Sequence, residues 1–210
     1  MNAYKAIGFD WGGVINGKPG GFSWQPLADE VGVSLADFEV AYFHHNQPFN
    51  RDEISARELW RRVIGELGHD VNDESFMDRI LALHSLANLD DINEDVIGLL
   101  KILRANGYKL GLLSNNTTKG ADHMIELGID TYFDVFHVSA VTGFVKPVQK
   151  AFTHLADELG APINELIFID DTPKSLSSAL EVGFTPILFT GYEQLLNDLA
   201  NLGINTKVSA

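Results

Sequence analysis

The sequence predicts an α/β fold built on a parallel sheet, and three observations carry that expectation. Short apolar runs ending in polar residues recur along the 210-residue chain, as "KAIGFD", "YKLGLLSN" and "ELIFIDD". Two further runs, "DVFHVS" and "TPILFT", have the same strand character. Stretches of helical periodicity separate them, near 92–106, 119–128, 148–159, 173–182 and 192–202. Strands alternating with helices after residue 90 predict a parallel sheet with helices on both faces. Ligands of such sheets bind at the carboxyl ends of the strands. Asp10, Ser114 and the pair Asp170–Asp171 all fall at strand ends.

Residues 16–90 break the alternation. "NGKPGGFS" is a turn-rich exit from the first strand, and helical patterns follow near 23–31, 35–45, 52–67 and 73–86 with no convincing strand. "NLDDIN" leads back into the α/β region. The expected organisation is a core of residues 1–15 and 91–210 and a small all-helical cap of residues 16–90. The cap would lie over the active end of the sheet, with hinges near Gly12–Gly21 and Asn88–Asn93.

Composition excludes several classes of function. The chain carries 15 Lys+Arg against 29 Asp+Glu, a net charge of −14 that repels nucleic acid and anionic lipid. Its apolar runs are too short to span a bilayer, and the first residues show no basic segment followed by an apolar stretch. With no cysteine, it can form neither disulfides nor thiolate metal sites. The expectation is a cytoplasmic protein, monomer or homodimer, without nucleic-acid or membrane partners. A site for a small anion must then be built locally, from a cation and backbone donors.

Each polar strand end has an ordinary structural explanation as well as a chemical one. Asp10 in "AIGFDWGGVI" suits a nucleophile, a metal ligand or a turn. Ser114 and Asn115 in "LLSNNT" suit an oxyanion site or a helix cap. Lys146 in "GFVKPVQKAF" precedes a proline that suits a first helical turn, where a cation opposes the helix dipole and needs an anionic partner. In "FIDDTPKS", capping accounts for one carboxylate and leaves the second without a reason unless a cation lies nearby.

Taken in order, Asp, then Ser-Asn, then Lys-Pro, then Asp-Asp, the pattern resembles the four motifs of the haloacid dehalogenase-like (HAD) hydrolase superfamily, in the subfamily with a helical cap between the first and second motifs. The resemblance covers nearly the whole chain. It implies a doubly wound, Rossmann-like core and a Mg²⁺-dependent phosphomonoesterase for a small phosphorylated metabolite, sugar phosphates being favoured. It makes Asp10 the nucleophile that becomes an aspartyl phosphate, and Ser114, Asn115 and Lys146 the phosphate-binding residues. Asp10, Gly12 through its carbonyl, Asp171 and Asp170 would hold Mg²⁺.

Gly12 departs from the pattern. Most phosphatases of the family carry a second Asp at that point, serving through its carbonyl as a metal ligand and through its carboxyl as general acid and base. Here the carbonyl is kept and the carboxyl is gone. His44, His45 and Arg51 of the cap, with Arg57, are the candidates for a replacement acid or a substrate contact. A dehalogenase is disfavoured by the paired Asp170–Asp171. A phosphonatase needs a cap lysine, and the segment 16–90 holds only Lys18. A catalytically impaired binding or regulatory domain is the remaining alternative, and Gly12 alone supports it.

Overall fold

The computed structural model describes residues 3–19, 24–86 and 91–207. Parts of both hinge regions expected from the sequence lie outside these residues. Five strands, β1 (Ala6–Phe9), β2 (Lys109–Ser114), β3 (Val135–Val138), β4 (Leu166–Asp170) and β5 (Thr185–Leu188), form one sheet in the order β3-β2-β1-β4-β5. All four pairings are parallel. The chain builds outward from β1 through β2 to β3, then returns to the other side of β1 for β4. That reversal puts the ends of β1 and β4 side by side: Phe9 pairs with Ile169, and the Asp10 N–H donates to the Ile169 carbonyl at 2.9 Å.

Strand alternation divides the sheet into two buried faces. Ile7, Phe9, Leu110, Leu112, Ile167 and Ile169 meet α5 (Glu94–Ala105), α6 (Thr118–Glu126) and α10 (Tyr192–Asn201). On the opposite face, Ala6, Leu113, Leu166 and Phe168 meet α8 (Gln149–Glu158). Gly8 and Gly111 pair in register on that second face. A Cβ added to Gly111 would stand 2.7 Å from Leu155 Cδ1, and one added to Gly8 would meet Leu155 Cδ2 at 3.0 Å. The two glycines therefore form a slot that lets α8 approach the sheet.

The helices of the inserted segment are α1 (Gln25–Val31), α2 (Leu35–Phe49), α3 (Ala56–Glu66) and α4 (Glu74–Leu86). They share a hydrophobic cluster of their own, centred on fully buried Trp60 and Phe38. Serines mark two starts: Ser34 accepts from the Asp37 N–H and Ser55 from the Glu58 N–H. The sequence pattern predicts a second helix ending near 45 and a third starting near 52. In the structure α2 runs through Pro48, which stands in its last turn, and α3 waits for the Ser55 cap. Between them Asp52 adopts a positive φ of 55°.

The stretch 173–182 also differs from its helical expectation: only α9 (Ala179–Val182) is α-helical. Ser175, Leu176 and Ser177 donate instead to the carbonyls of Thr172, Pro173 and Lys174, a three-residue spacing that makes successive tight turns. One further single-turn helix, α7 (Ser139–Thr142), follows β3.

Polar contacts join the inserted helices to the sheet, and Lys174 lies over the Phe43 ring of α2 at 5.0 Å. Asp52 Oδ2 accepts the Thr118 N–H at 2.8 Å at the start of α6, and the Ser139 hydroxyl donates to the Asn50 carbonyl at 2.6 Å. The two chain crossings run together, with the Gly17 N–H donating to the Asp91 carbonyl at 2.8 Å. No helix among the described residues is long and apolar enough to cross a membrane.

The glycine slot yields a stability prediction. Leu155→Ala should cost about 2–5 kcal/mol through a cavity, and Gly111→Ala about 1–3 kcal/mol through overpacking. The double variant should cost less than the sum of the two, because the new methyl enters the space that Leu155 vacates. Urea midpoints at unchanged slope measure all three, and strict additivity would contradict the slot.

Candidate active site

The strand ends deliver their polar residues to one place. Asp10 follows β1, and Asp170 closes the neighbouring β4 with Asp171 next in the chain. Ser114 closes β2, 3% exposed, at the same end of the sheet. Lys146 comes from the segment before α8 and is itself only 3% exposed. Its Nζ lies 2.8 Å from Asp10 Oδ1 and 2.5 Å from Asp170 Oδ2.

The expected anionic partners of Lys146 are thus two buried carboxylates. Asp10 Oδ1 also accepts the Trp11 N–H at 2.7 Å, and Asp170 Oδ1 accepts the Thr172 N–H at 2.9 Å. Both oxygens of Asp170 are occupied, which makes it the anchor of the lysine. Asp171 is half-buried and accepts from the Thr172 hydroxyl at 3.1 Å.

Charge is unbalanced in this cluster. Burial pushes the Asp10 carboxyl up to about 8; Lys146 opposes the shift, while Asp170 and Asp171 reinforce it. Burial also works against the Lys146 ammonium, but Asp10 and Asp170 outweigh it and hold the group above the usual lysine range. One ammonium faces three carboxylates, and an oxygen from each of Asp10, Asp170 and Asp171 lies within 4.8 Å of the others. A donor set of clustered hard oxygens with excess negative charge fits a hard dication such as Mg²⁺.

The carboxamide of Asn115 is engaged with the main chain of Lys146. Its Oδ1 accepts the Lys146 N–H at 2.8 Å, and its Nδ2 donates to the Lys146 carbonyl at 2.9 Å. The carboxamide thereby fixes the main chain on which the lysine stands. Gly12 has an ordinary φ, and a Cβ added there meets nothing within 4 Å.

The candidate cap residues are engaged with carboxylates elsewhere in the inserted segment. His44 Nδ1 and His45 Nε2 lie 2.9 and 2.7 Å from the two oxygens of Glu66, so both rings share one partner on α3. Arg51 makes two bonds to Glu53, and Arg57 reaches Glu74 and Asp78. Lys18, on the exit from the first strand, is exposed. A cleft of about 800 Å³ opens between the inserted helices and the sheet, lined by Trp11, Phe49, Ile54, His84, Asn116 and Lys119 among others.

Sequence reasoning missed several contributors here. Asp52 and Ser139 tie α6 and Asn116 to the α2–α3 loop, with the Asn116 N–H donating to the Ser139 hydroxyl at 2.9 Å. Lys119, in the cleft, was also missed. The Ser55-Ala-Arg-Glu58 capping signal could have placed the loop, but nothing local announces what Asp52 touches.

Comparison with known proteins identifies the family. Flavin mononucleotide hydrolase 1 of Arabidopsis thaliana is 27% identical over 160 residues, covering 76% of this chain, which spans 62% of that protein's length. Phosphoglycolate phosphatase of Pasteurella multocida is 25% identical over 206 residues, covering 91% of this chain and 88% of the relative. A HAD family enzyme of Bacteroides thetaiotaomicron has the same fold, with a TM-score of 0.61 at 20% identity over 90% of this chain and 96% of that one. The family model of the haloacid dehalogenase-like hydrolases matches residues 4–183, and the chain belongs to that family of hydrolases.

Proposed function

We propose that the protein is a Mg²⁺-dependent phosphomonoesterase acting on a small phosphorylated metabolite, with sugar phosphates favoured, and that residues 16–90 act as its cap. The observation that carries this reading is Lys146, buried between Asp10 and Asp170 beside Asp171. A carboxylate that must attack phosphorus needs a neighbouring cation to lower the repulsion between two anions, and Lys146 stands 2.8 Å from it. Relatives named as a phosphatase and as a flavin mononucleotide hydrolase support the reaction class.

In this mechanism an Asp10 oxygen forms a bond to phosphorus as the ester oxygen leaves with its electron pair and takes up a proton. Water then attacks the aspartyl phosphate, releasing inorganic phosphate and restoring the carboxylate. Lys146 holds phosphoryl oxygens through both steps, with Ser114 as a further donor. Asp10, Asp170, Asp171 and the Gly12 carbonyl would hold Mg²⁺, which supplies neutralisation of phosphoryl charge when bound. Asn115 acts through the lysine by fixing its main chain.

The cap cations expected from the sequence have carboxylate partners, which leaves Lys119 in the cleft as the better candidate for a second anionic group on the substrate. Without a carboxyl at position 12, the leaving oxygen draws its proton from water or from the cap.

Two experiments test this reading. Phosphate release from a panel of phosphorylated metabolites should require Mg²⁺, stop on chelation and be abolished in Asp10→Asn and Asp171→Asn, with each variant still folded. Turnover that persists in excess chelator would point to dehalogenase-type chemistry. Failure to release phosphate from any ester, with Mg²⁺ present, would leave a binding domain.

The second experiment concerns Gly12. General-acid assistance is worth roughly 10²–10⁴-fold and matters most for strongly basic leaving groups. Turnover of the wild type should therefore fall steeply as leaving-group pKa rises across a series of phosphate esters. Gly12→Asp should flatten that dependence, and the open space around the glycine gives the new side chain room. A profile that is flat in the wild type and steepens in a His44/His45 double alanine variant would place the acid in the cap instead.

A further inference from the structure

His137, His154 and Glu158 form a cluster of metal-ligating side chains outside the acidic centre. His137 stands on the edge strand β3, and its partner in register is Leu113, which packs against α8. His154 and Glu158 are four apart on α8 and share one face. His137 Nε2 lies 2.8 Å from Glu158 Oε2, and His154 Nε2 lies 3.4 Å from Glu158 Oε1. One ligand atom from each residue lies within 4.8 Å of the other two. The imidazoles stack with centroids 4.8 Å apart at 14°, and Phe144 closes over His154 at 4.5 Å.

The chemistry of this set differs from that of the acidic centre. His137 is 4% exposed, and its Nδ1 is buried without a hydrogen-bond partner. Burial holds His137 below the usual histidine range, against the pull of Glu158, which favours the uncharged imidazole that a metal ion needs. Two imidazoles and one carboxylate are the ligands that borderline dications select, whereas Mg²⁺ prefers oxygen alone. Bonds of about 2.0–2.2 Å in a tetrahedral site set ligand atoms about 3.3–3.6 Å apart, inside the 4.8 Å within which these three ligand atoms lie. Glu158 is 48% exposed and His154 34%, which gives an ion access from solvent and leaves a fourth position for water.

We infer that His137, His154 and Glu158 are a binding site for a borderline transition-metal dication of the Zn²⁺ or Co²⁺ type, tying β3 to α8. The segment between the two histidines carries Lys146, so an ion here clasps the two flanks of the loop that presents it.

Co²⁺ titration of the full chain in saturating Mg²⁺, read by visible absorption and equilibrium dialysis, tests the site. The wild type should show the intense d–d absorption of four-coordinate Co²⁺, bleached by added Zn²⁺. Asp171→Asn should keep that absorption. His154→Ala and Glu158→Gln, both at partly exposed positions, should lose it and weaken binding by about 100-fold or more. Circular dichroism and urea midpoints confirm that these variants fold. Weak absorption of six-coordinate type, absorption that survives both substitutions, or absorption that vanishes in Asp171→Asn would each overturn the site.

Discussion

The structure turns on one buried cation. Lys146 donates into Asp10 and Asp170 in a setting where none of the three side chains is freely hydrated. Removing such charges from water costs several kcal/mol per ion unless partners replace the lost hydration. The replacement is arranged by the backbone. Asp170 takes the Thr172 N–H, Asp10 takes the Trp11 N–H, and Asn115 holds both polar groups of the Lys146 main chain. Two strand ends and the segment before a helix are thereby fixed relative to one another. Burial, reinforced by Asp170 and Asp171, drives Asp10 up as an acid, and the excess of negative charge that remains suits the site to a dication.

Sheet topology makes that cluster possible. Adjacent carboxylates on different strands require β1 and β4 to be neighbours, and the reversal of strand order after β3 supplies this. The paired glycines of β1 and β2 let α8 seat close to the sheet. Since Lys146 lies just before α8, the depth at which that helix packs also sets where the ammonium stands. Packing on the apolar face and electrostatics at the strand ends are coupled through one helix.

The parts legible in the sequence were those governed by local rules. Apolar runs closed by polar residues marked all five strands, and the polar closures marked Asp10, Ser114, Asp170 and Asp171. Lys146 was legible because a lysine at a helix start needs a partner. Partner choice across long separations was hidden. His44, His45, Arg51 and Arg57 read as free cations or acids, yet the fold brings Glu66, Glu53, Glu74 and Asp78 to them. Only the path of the loop before α8 shows the Asn115 carboxamide meeting the lysine backbone. The 173–182 stretch misled for a local reason: its serines and proline permit successive tight turns as readily as a helix.

The seam between the inserted helices and the sheet follows a different physical rule from the two interiors it separates. The inserted helices bury Trp60, Phe38 and their neighbours among themselves, and that cluster shares no residue with those of the sheet. The seam is crossed by hydrogen bonds, Asp52 to the start of α6 and Ser139 to Asn50 among them, and by Lys174 over the Phe43 ring. Such bonds contribute about 0.5–1.5 kcal/mol each, and water can replace them when they open. Separating the two bodies therefore exposes little of either core, whereas unfolding either body exposes all of its own. Asp52 adds a constraint: its positive φ and its carboxylate at the α6 N-terminus place the α2–α3 loop at the rim of the cleft. The loop that carries these seam contacts therefore also borders the cleft beside Trp11.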